Sequence, residues 1–318
     1  MYEPKNHLPR RLFVTGALAG PLMTAGLSGP AFAGGTKDGR TGSTRRPDMT
    51  ARLRRLENQY SARVGLTVIE PSSGDSFSHR GDERFALCST FKTYAVASVL
   101  DRFTGAGPGL DEPVYVDPAD IVENSPKTDS AKGTTVTLGW LCEVALTHSD
   151  NTAGNYLLRK LGGPRAIGEF ARMICDPVTR LDRWEPELNT AYREDLRDTS
   201  TPTALAHGYR RILLGRVLAV ESRRQITDWM KANVTSGPRM RAGLPAGWTS
   251  ADKTGAGGYG TLNDVGVVWD ASGQPLVLSI LTDTTTHDAE APRHNELIAD
   301  VTEVGLTLLD RNQRRPRS

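Results

Sequence analysis

The chain has 318 residues, 38% hydrophobic and 24% charged, with a formal net charge of +2. That composition excludes a disordered or collagen-like chain and allows one large or two modest domains with a packed core. Residues 1–46 hold seven Lys/Arg against two Asp/Glu, so the remainder stands at −3, which is no electrostatic footprint for nucleic acid.

Residues 1–33 read as a secretory signal. They have a basic start, a moderately apolar middle and the small-residue ending Ala31-Phe32-Ala33, with cleavage expected after Ala33. Arg10-Arg11 followed by Leu12-Phe13-Val14 matches a twin-arginine export signal; an incidental arginine pair in a general signal is the alternative. The mature protein is therefore expected in the cell envelope or outside the cell. Residues 34–48, "GGTKDGRTGSTRRPD", read as a flexible linker, and the basic tail 313–318 is expected to fray. No later stretch has about 18 uninterrupted apolar residues, so no membrane span is expected. Cys88, Cys142 and Cys175 allow at most one internal bridge. Twin-arginine substrates fold in a reducing compartment, so three thiols are expected.

"MTARLRRLENQYSA" (49–62) reads as an amphipathic helix. "VGLTVIE" and "SFSHR" then read as strands joined by the turn residues 71–75. From 88 to 233 the pattern is mostly helical. Leu138, Leu141, Val144 and Ala145 share a helical stripe, Gly162-Gly163 mark a helix end, and Thr201-Pro202 read as an N-cap and first helical residue. After Gly243 three segments rich in β-branched residues follow. A last helix then places Leu297, Val301, Val304 and Leu308 on one face. The reading is an α+β catalytic domain at 49–312. Its sheet is built from both chain ends (about 49–87 and 234–312), with an all-helical insertion at about 88–233. The polar segment 180–198 has little periodicity; an irregular loop of that length is more often functional than idle.

Three short motifs carry chemistry. Ser89 and Lys92 lie one helical turn apart, so the amine can reach the hydroxyl, and a serine needs a nearby base to act as a nucleophile. An S-x-x-K match is expected about once by chance in such a chain, and Ser250…Lys253 is another, so a cap serine with an exposed lysine stays open. Ser149-Asp150-Asn151 interrupts a helical run. It could place a second hydroxyl to pass a proton and an amide to hold a substrate, or be an ordinary turn. Lys253-Thr254-Gly255 could bind a carboxylate, with Gly255 letting a ligand lie close to the backbone, or be a strand ending in a glycine-rich turn.

In this order, S-x-x-K, S-D-N and K-T-G together with "RWEPELN" make the chain resemble a class A serine β-lactamase over about residues 50–310. The resemblance implies the two-part β-lactamase/transpeptidase-like fold, with an active site between sheet and helices and no cofactor or metal. Ser89 becomes the nucleophile, with Lys92 or Glu185 taking its proton. Ser149 becomes the proton donor to the lactam nitrogen, and Glu185 with Asn189 the holders of the hydrolytic water. Asn151, Lys253, Thr254, Gly255, Ala256 and Arg239 become substrate contacts, with the Ser89 and Ala256 amides as the oxyanion hole. Asn155 would support the Glu185 loop, an Arg183–Asp198 pair would close it, and Glu185-Pro186 would be cis. The partner is a small β-lactam, penicillins and some cephalosporins, and a monomer is expected.

The chain also departs from family patterns. Val96 and Gly257 stand where some members place cysteine partners for Cys142 and Cys88, and Asn124 occupies a pocket-mouth position that is often aromatic or aliphatic. Cys175 reads as a small buried apolar residue. A D-alanyl-D-alanine carboxypeptidase or transpeptidase shares Ser89, Lys92 and K-T-G but would not need Glu185 or Asn189. A β-lactam sensor domain stays acylated. The six histidines show no ligand spacing, which excludes a zinc β-lactamase.

Overall fold

A computed structural model of the chain describes residues 45–103 and 109–309. The signal 1–33, the linker up to 44 and the tail 313–318 lie outside the described residues. Helix α1 (Arg45–Tyr60) begins four residues before the position expected from apolar spacing, so 45–48 are helical rather than linker. Pro47 falls in the first turn, where a missing N–H is harmless, and Asp48 sits at the positive end of the helix dipole. Ser61, left-handed at φ +48°, ends the helix. Ala62, expected as its last residue, instead opens strand β1 (Ala62–Ile69).

β2 (Ser76–His79) and β3 (Phe85–Ala86) precede a 3-10 turn at Cys88–Thr90 and helix α2 (Phe91–Phe103). The helical layer continues with α3 (Pro126–Ser130), α4 (Leu138–Thr147), α5 (Asn151–Leu161), α6 (Arg165–Met173), α7 (Pro202–Leu213) and α8 (Val220–Lys231). It also holds short strands that no periodicity announces: β4 (Pro113–Tyr115) pairs with β5 (Thr135–Thr137), and β6 (Thr199–Ser200) pairs back onto β3. The chain then forms β7 (Thr249–Ala256), β8 (Leu262–Trp269), β9 (Pro275–Thr284) and α9 (Asn295–Leu306). The sheet is antiparallel in the order β2-β1-β9-β8-β7, so strands from the two chain ends meet at β1–β9, as expected. The fold is α+β, and all described residues belong to one compact unit, Arg40–Ser318.

Both faces of the sheet are covered. Successive strand residues point to opposite faces, so Leu276, Leu278 and Ile280 of β9 pack with α1 and α9, while Val277 and Leu281 join the core under the helical layer. Leu297, Val301, Val304 and Leu308 are buried as their spacing predicts. Helix α2 is buried along Phe91–Leu100; a helix enclosed on all sides forms the centre of a layer rather than its surface. Thr201 caps α7, its hydroxyl accepting from the Ala204 amide. All three cysteines are free thiols, but Cys175 is exposed rather than buried. It takes a left-handed φ of +61° just beyond α6, with its amide on Arg172 O at 3.0 Å. Its place is set by the turn, not by a core.

Leu278 is fully buried, and a side chain at Gly305 of α9 would meet its Cδ2 at 2.8 Å. Leu278→Ala should cost about 2–5 kcal/mol of stability. A thermal midpoint equal to the unsubstituted protein's would contradict the packing of β9 against α9.

Candidate active site

The turn Cys88–Thr90 is held from three sides. Asn263 of β8 donates its amide to Ala86 O (2.8 Å) and Leu87 O (3.1 Å), the Leu87 amide donates to Asp198 O (2.8 Å), and Tyr209 of α7 donates its hydroxyl to Thr90 O (2.8 Å). Cys88 sits at φ +44°, a strained conformation for a residue with a side chain that such bracing can maintain. The turn runs straight into α2 and places Ser89 one turn before Lys92.

Lys92 is fully buried, with Nζ 2.9 Å from Ser89 Oγ, 2.8 Å from Ser149 O, 2.7 Å from Asn151 Oδ1 and 2.9 Å from Glu185 Oε1. An ammonium has three protons and cannot give one to each of four oxygens. The amine therefore stands as a relay point between the serine hydroxyl and the glutamate. Ser89 Oγ also makes a longer contact of 3.5 Å with Glu185 Oε1. Helix α5 comes this close because Gly154 has no side chain: a Cβ there would lie 2.9 Å from Lys92 Cε.

Ser149 lies in the turn joining α4 to α5, and Asn151 is the first residue of α5. Ser149 adopts φ +58°, and its Oγ accepts from Lys253 Nζ at 2.9 Å. Asp150 between them is structural: its carboxylate caps α5 through the Ala153 amide and binds the Lys127 and Thr128 amides and the Thr128 hydroxyl of α3. Asn151 gives one N–H to Glu123 O (3.1 Å) while its Oδ1 faces Lys92.

Lys253, Thr254, Gly255 and Ala256 end strand β7. Lys253 is fully buried, and its amine also donates to Thr254 O at 3.0 Å. Burial first, then the Lys92 and Arg239 cations, pulls its ammonium well below the ordinary lysine value. A Cβ on Gly255 would be 3.0 Å from Leu87 O, so only glycine lets β7 run this close to the serine turn. Thr254 Oγ1 shares a 2.5 Å hydrogen bond with Thr235 Oγ1. Arg239 precedes the 3-10 turn Met240–Gly243 and donates Nε to Asn295 Oδ1 at 3.0 Å.

The loop 180–198 closes on itself. Arg183 Nε lies 2.5 Å from Asp198 Oδ2, and Asp198 Oδ1 accepts from the Asp182 and Arg183 amides at 2.7 and 3.0 Å. Asn155 of α5 fixes Glu185 by a reciprocal pair, Nδ2 to Glu185 O and Glu185 N to Asn155 Oδ1, each 2.9 Å. The Glu185-Pro186 bond is cis. Asn189 Nδ2 donates to Glu185 Oε2 at 2.5 Å, while Asn189 Oδ1 is buried with no protein partner. A carboxylate oxygen and an unsatisfied amide oxygen side by side suit a water molecule that donates to both.

The expected Ser89, Lys92, Ser149, Asn151, Glu185, Asn189 and Lys253 thus converge in one hydrogen-bonded cluster. Thr254, Gly255 and Ala256 continue along its β7 edge, and Arg239 is near enough for its charge to act on Lys253. Sequence reasoning missed Asn263 and Gly154. Their signals were present: an asparagine in a strand of β-branched neighbours, and a glycine inside a helix.

A family model described as "Beta-lactamase enzyme family" matches residues 48–308. A β-lactamase of Amycolatopsis lactamdurans is 44% identical over 263 residues, covering 83% of this chain and 86% of that protein. β-Lactamase SME-1 of Serratia marcescens is 40% identical over 261 residues, covering 81% of this chain and 88% of its own length. The crystal structure of a β-lactamase from Desulfarculus baarsii superposes with a TM-score of 0.80 at 41% identity, over 83% of this chain and 98% of that one.

Removing the Asp198 carboxylate would strand the Arg183 guanidinium and two loop amides. Asp198→Ala should therefore cost about 3–5 kcal/mol and speed hydrogen exchange across 182–198. Native stability with unchanged exchange would show that the pair does not close the loop.

Proposed function

Because this chain belongs to the serine β-lactamase family, with the motif set of class A, we propose that it opens penicillins and some cephalosporins through a serine acyl-enzyme that water then clears. β-Lactam hydrolysis, which confers antibiotic resistance, is the activity of the family. The residue roles that follow rest on the geometry of the cluster.

Lys253, Thr254 and Arg239 receive the substrate carboxylate, and Asn151 receives the acylamino side chain. Ser89 Oγ attacks the lactam carbonyl. Lys92 first passes a proton to Glu185 Oε1, 2.9 Å away, and its neutral amine then takes the Ser89 proton, lying nearer at 2.9 Å than Glu185 at 3.5 Å. The Ser89 and Ala256 amides receive the oxyanion; fixed donors act on charge that exists only in the transition state. When the C–N bond breaks, Ser149 protonates the nitrogen and draws a replacement proton from Lys253, 2.9 Å away; the proton held by Glu185 returns to Lys253 through solvent, which leaves Glu185 a carboxylate. In the second half, Glu185 takes a proton from the water it shares with Asn189, and the hydroxide adds to the ester carbonyl. The Ser89–acyl bond then breaks, and Ser89 Oγ takes a proton from Lys92, which in turn takes the proton that Glu185 removed from water.

The observation that carries this reading over a transpeptidase or a sensor is Glu185. It is held by Asn155, paired with Asn189 and set beside Ser89, a placement that only deacylation requires. Export by the twin-arginine route with cleavage after Ala33, and a monomeric mature protein, complete the proposal. Hydrolysis outside the cytoplasm intercepts the drug before it reaches a cell-wall target.

A positioned general base contributes about 10²–10⁴ in rate. Glu185→Ala should therefore lose turnover of benzylpenicillin by a factor in that range while intact-mass spectra show one acyl adduct building up. Native turnover with no adduct would remove Glu185 from the mechanism.

A further inference from the structure

Two carboxyls are buried beneath the strand that carries Lys253. Asp252 is well satisfied: it accepts from Asn233 Nδ2 (2.8 Å), Arg241 Nε (3.1 Å) and the Ser250 hydroxyl. Asp264 of β8, paired in register with Thr254, is not. Its Oδ2 accepts from Ser236 Oγ (2.6 Å) and the Met240 amide (3.3 Å), and its Oδ1 is buried with no partner. The nearby cation Arg241 thus goes to one carboxyl of the pair, and the other has only neutral donors. A buried carboxylate with an unsolvated oxygen beside a second negative charge favours its neutral form.

Ser236 and Met240 bracket Arg239, whose amide donates to Ser236 O at 2.9 Å. The neighbouring Thr235 reaches Thr254. Asp264 therefore grips, from below, the same short segment that presents the guanidinium to the β7 edge. We infer that Asp264 is a positioning residue: by fixing Ser236 and the Met240 amide on either side of Arg239, it sets how tightly the site holds the carboxylate of a β-lactam. The inference rests on the carboxylate role given to Arg239 above.

The charged and titratable groups around Asp264 are Asp252 and Lys253 on β7, Arg239 on the segment above it, and Tyr209 on α7. Burial first, then Asp252, pushes the Asp264 carboxyl up to about 8, with Ser236 and Arg239 pulling the other way. At neutral pH it is protonated and adds no charge under the clasp. As pH rises through about 8 it becomes an anion that competes with the substrate carboxylate for Arg239 and Lys253, so KM should rise. Lys253 is itself pulled down by burial and the neighbouring cations, so the profile of the unsubstituted enzyme includes its titration too. The difference between that profile and the one for Asp264→Asn isolates Asp264.

The test is steady-state kinetics on benzylpenicillin and on its methyl ester, which lacks the carboxylate, for the unsubstituted enzyme, R239A, D264A and D264N. D264A should raise KM for the acid about tenfold with much less change in kcat, and leave the ester unaffected. D264N, whose amide oxygen can still accept from Ser236 and Met240, should recover most of that loss and flatten the rise in KM above about pH 8. If R239A leaves the preference for acid over ester intact, the role of Arg239 fails. If R239A removes that preference and D264A does not, the role of Asp264 fails. Should D264A not fold, D264N decides alone: a KM that still rises with pH as in the unsubstituted enzyme overturns the inference.

Discussion

One buried amine organises this molecule. Lys92 lies on the buried stretch Phe91–Leu100 of α2, and an isolated ammonium there would cost several kcal/mol. Four oxygens from three separate parts of the chain meet it: Ser89 one turn back, Ser149 and Asn151 from the α4–α5 turn and the start of α5, and Glu185 from the loop 180–198. Each of those parts is braced for the purpose. Asp150 ties the turn to α3, Asn155 and Asp198 fix the loop, and Gly154 lets α5 close on the lysine. The arrangement that makes the burial tolerable is also the one that links nucleophile to glutamate. Structure and chemistry are here the same set of hydrogen bonds.

The sheet side brings a second buried lysine and a partly buried arginine toward the first. Lys253 meets Ser149 in hydrogen-bond contact, and burial first, then the Lys92 and Arg239 cations, pulls its ammonium down. Three cations converging on one cleft repel one another, and an anion arriving between them relieves that repulsion. That field suits the carboxylate-binding role proposed for Lys253, Thr254 and Arg239. On the other face of the strand, burial first and then Asp252 push the partner-poor Asp264 carboxyl toward its neutral form. On the inference drawn above, the affinity of the cleft is set partly by a residue that no substrate touches.

Much of this was legible in the chain, and the boundary between legible and not has a physical cause. Strand and helix order came from period-2 and helical spacing, because each element buries one face, or both as in β9. The chemistry-bearing residues sat in short motifs because the turns that present them need particular neighbours: Ser149 next to a capping Asp150, and glycine at Gly255 where β7 passes Leu87. Contacts that join distant segments left little trace. The β3–β6 pairing is two residues long, Asn263 braces the serine turn from 176 positions away, and Asp264 looks like any polar strand residue. Cys175 was misjudged because cysteine is usually buried, whereas here a turn beyond α6 holds it at the surface. The early start of α1 escaped because a proline in the first turn looks like a break when its position in the helix is unknown.

As proposed, one cluster performs both acyl transfer and release. The most direct test is a progress curve: the purified chain mixed with a large excess of benzylpenicillin while the lactam absorbance is followed. Many molecules of substrate should be consumed per molecule of protein, at a sustained rate. Consumption of one equivalent followed by a halt would contradict it, since the serine would then be acylated without Glu185 and Asn189 delivering the water that frees it.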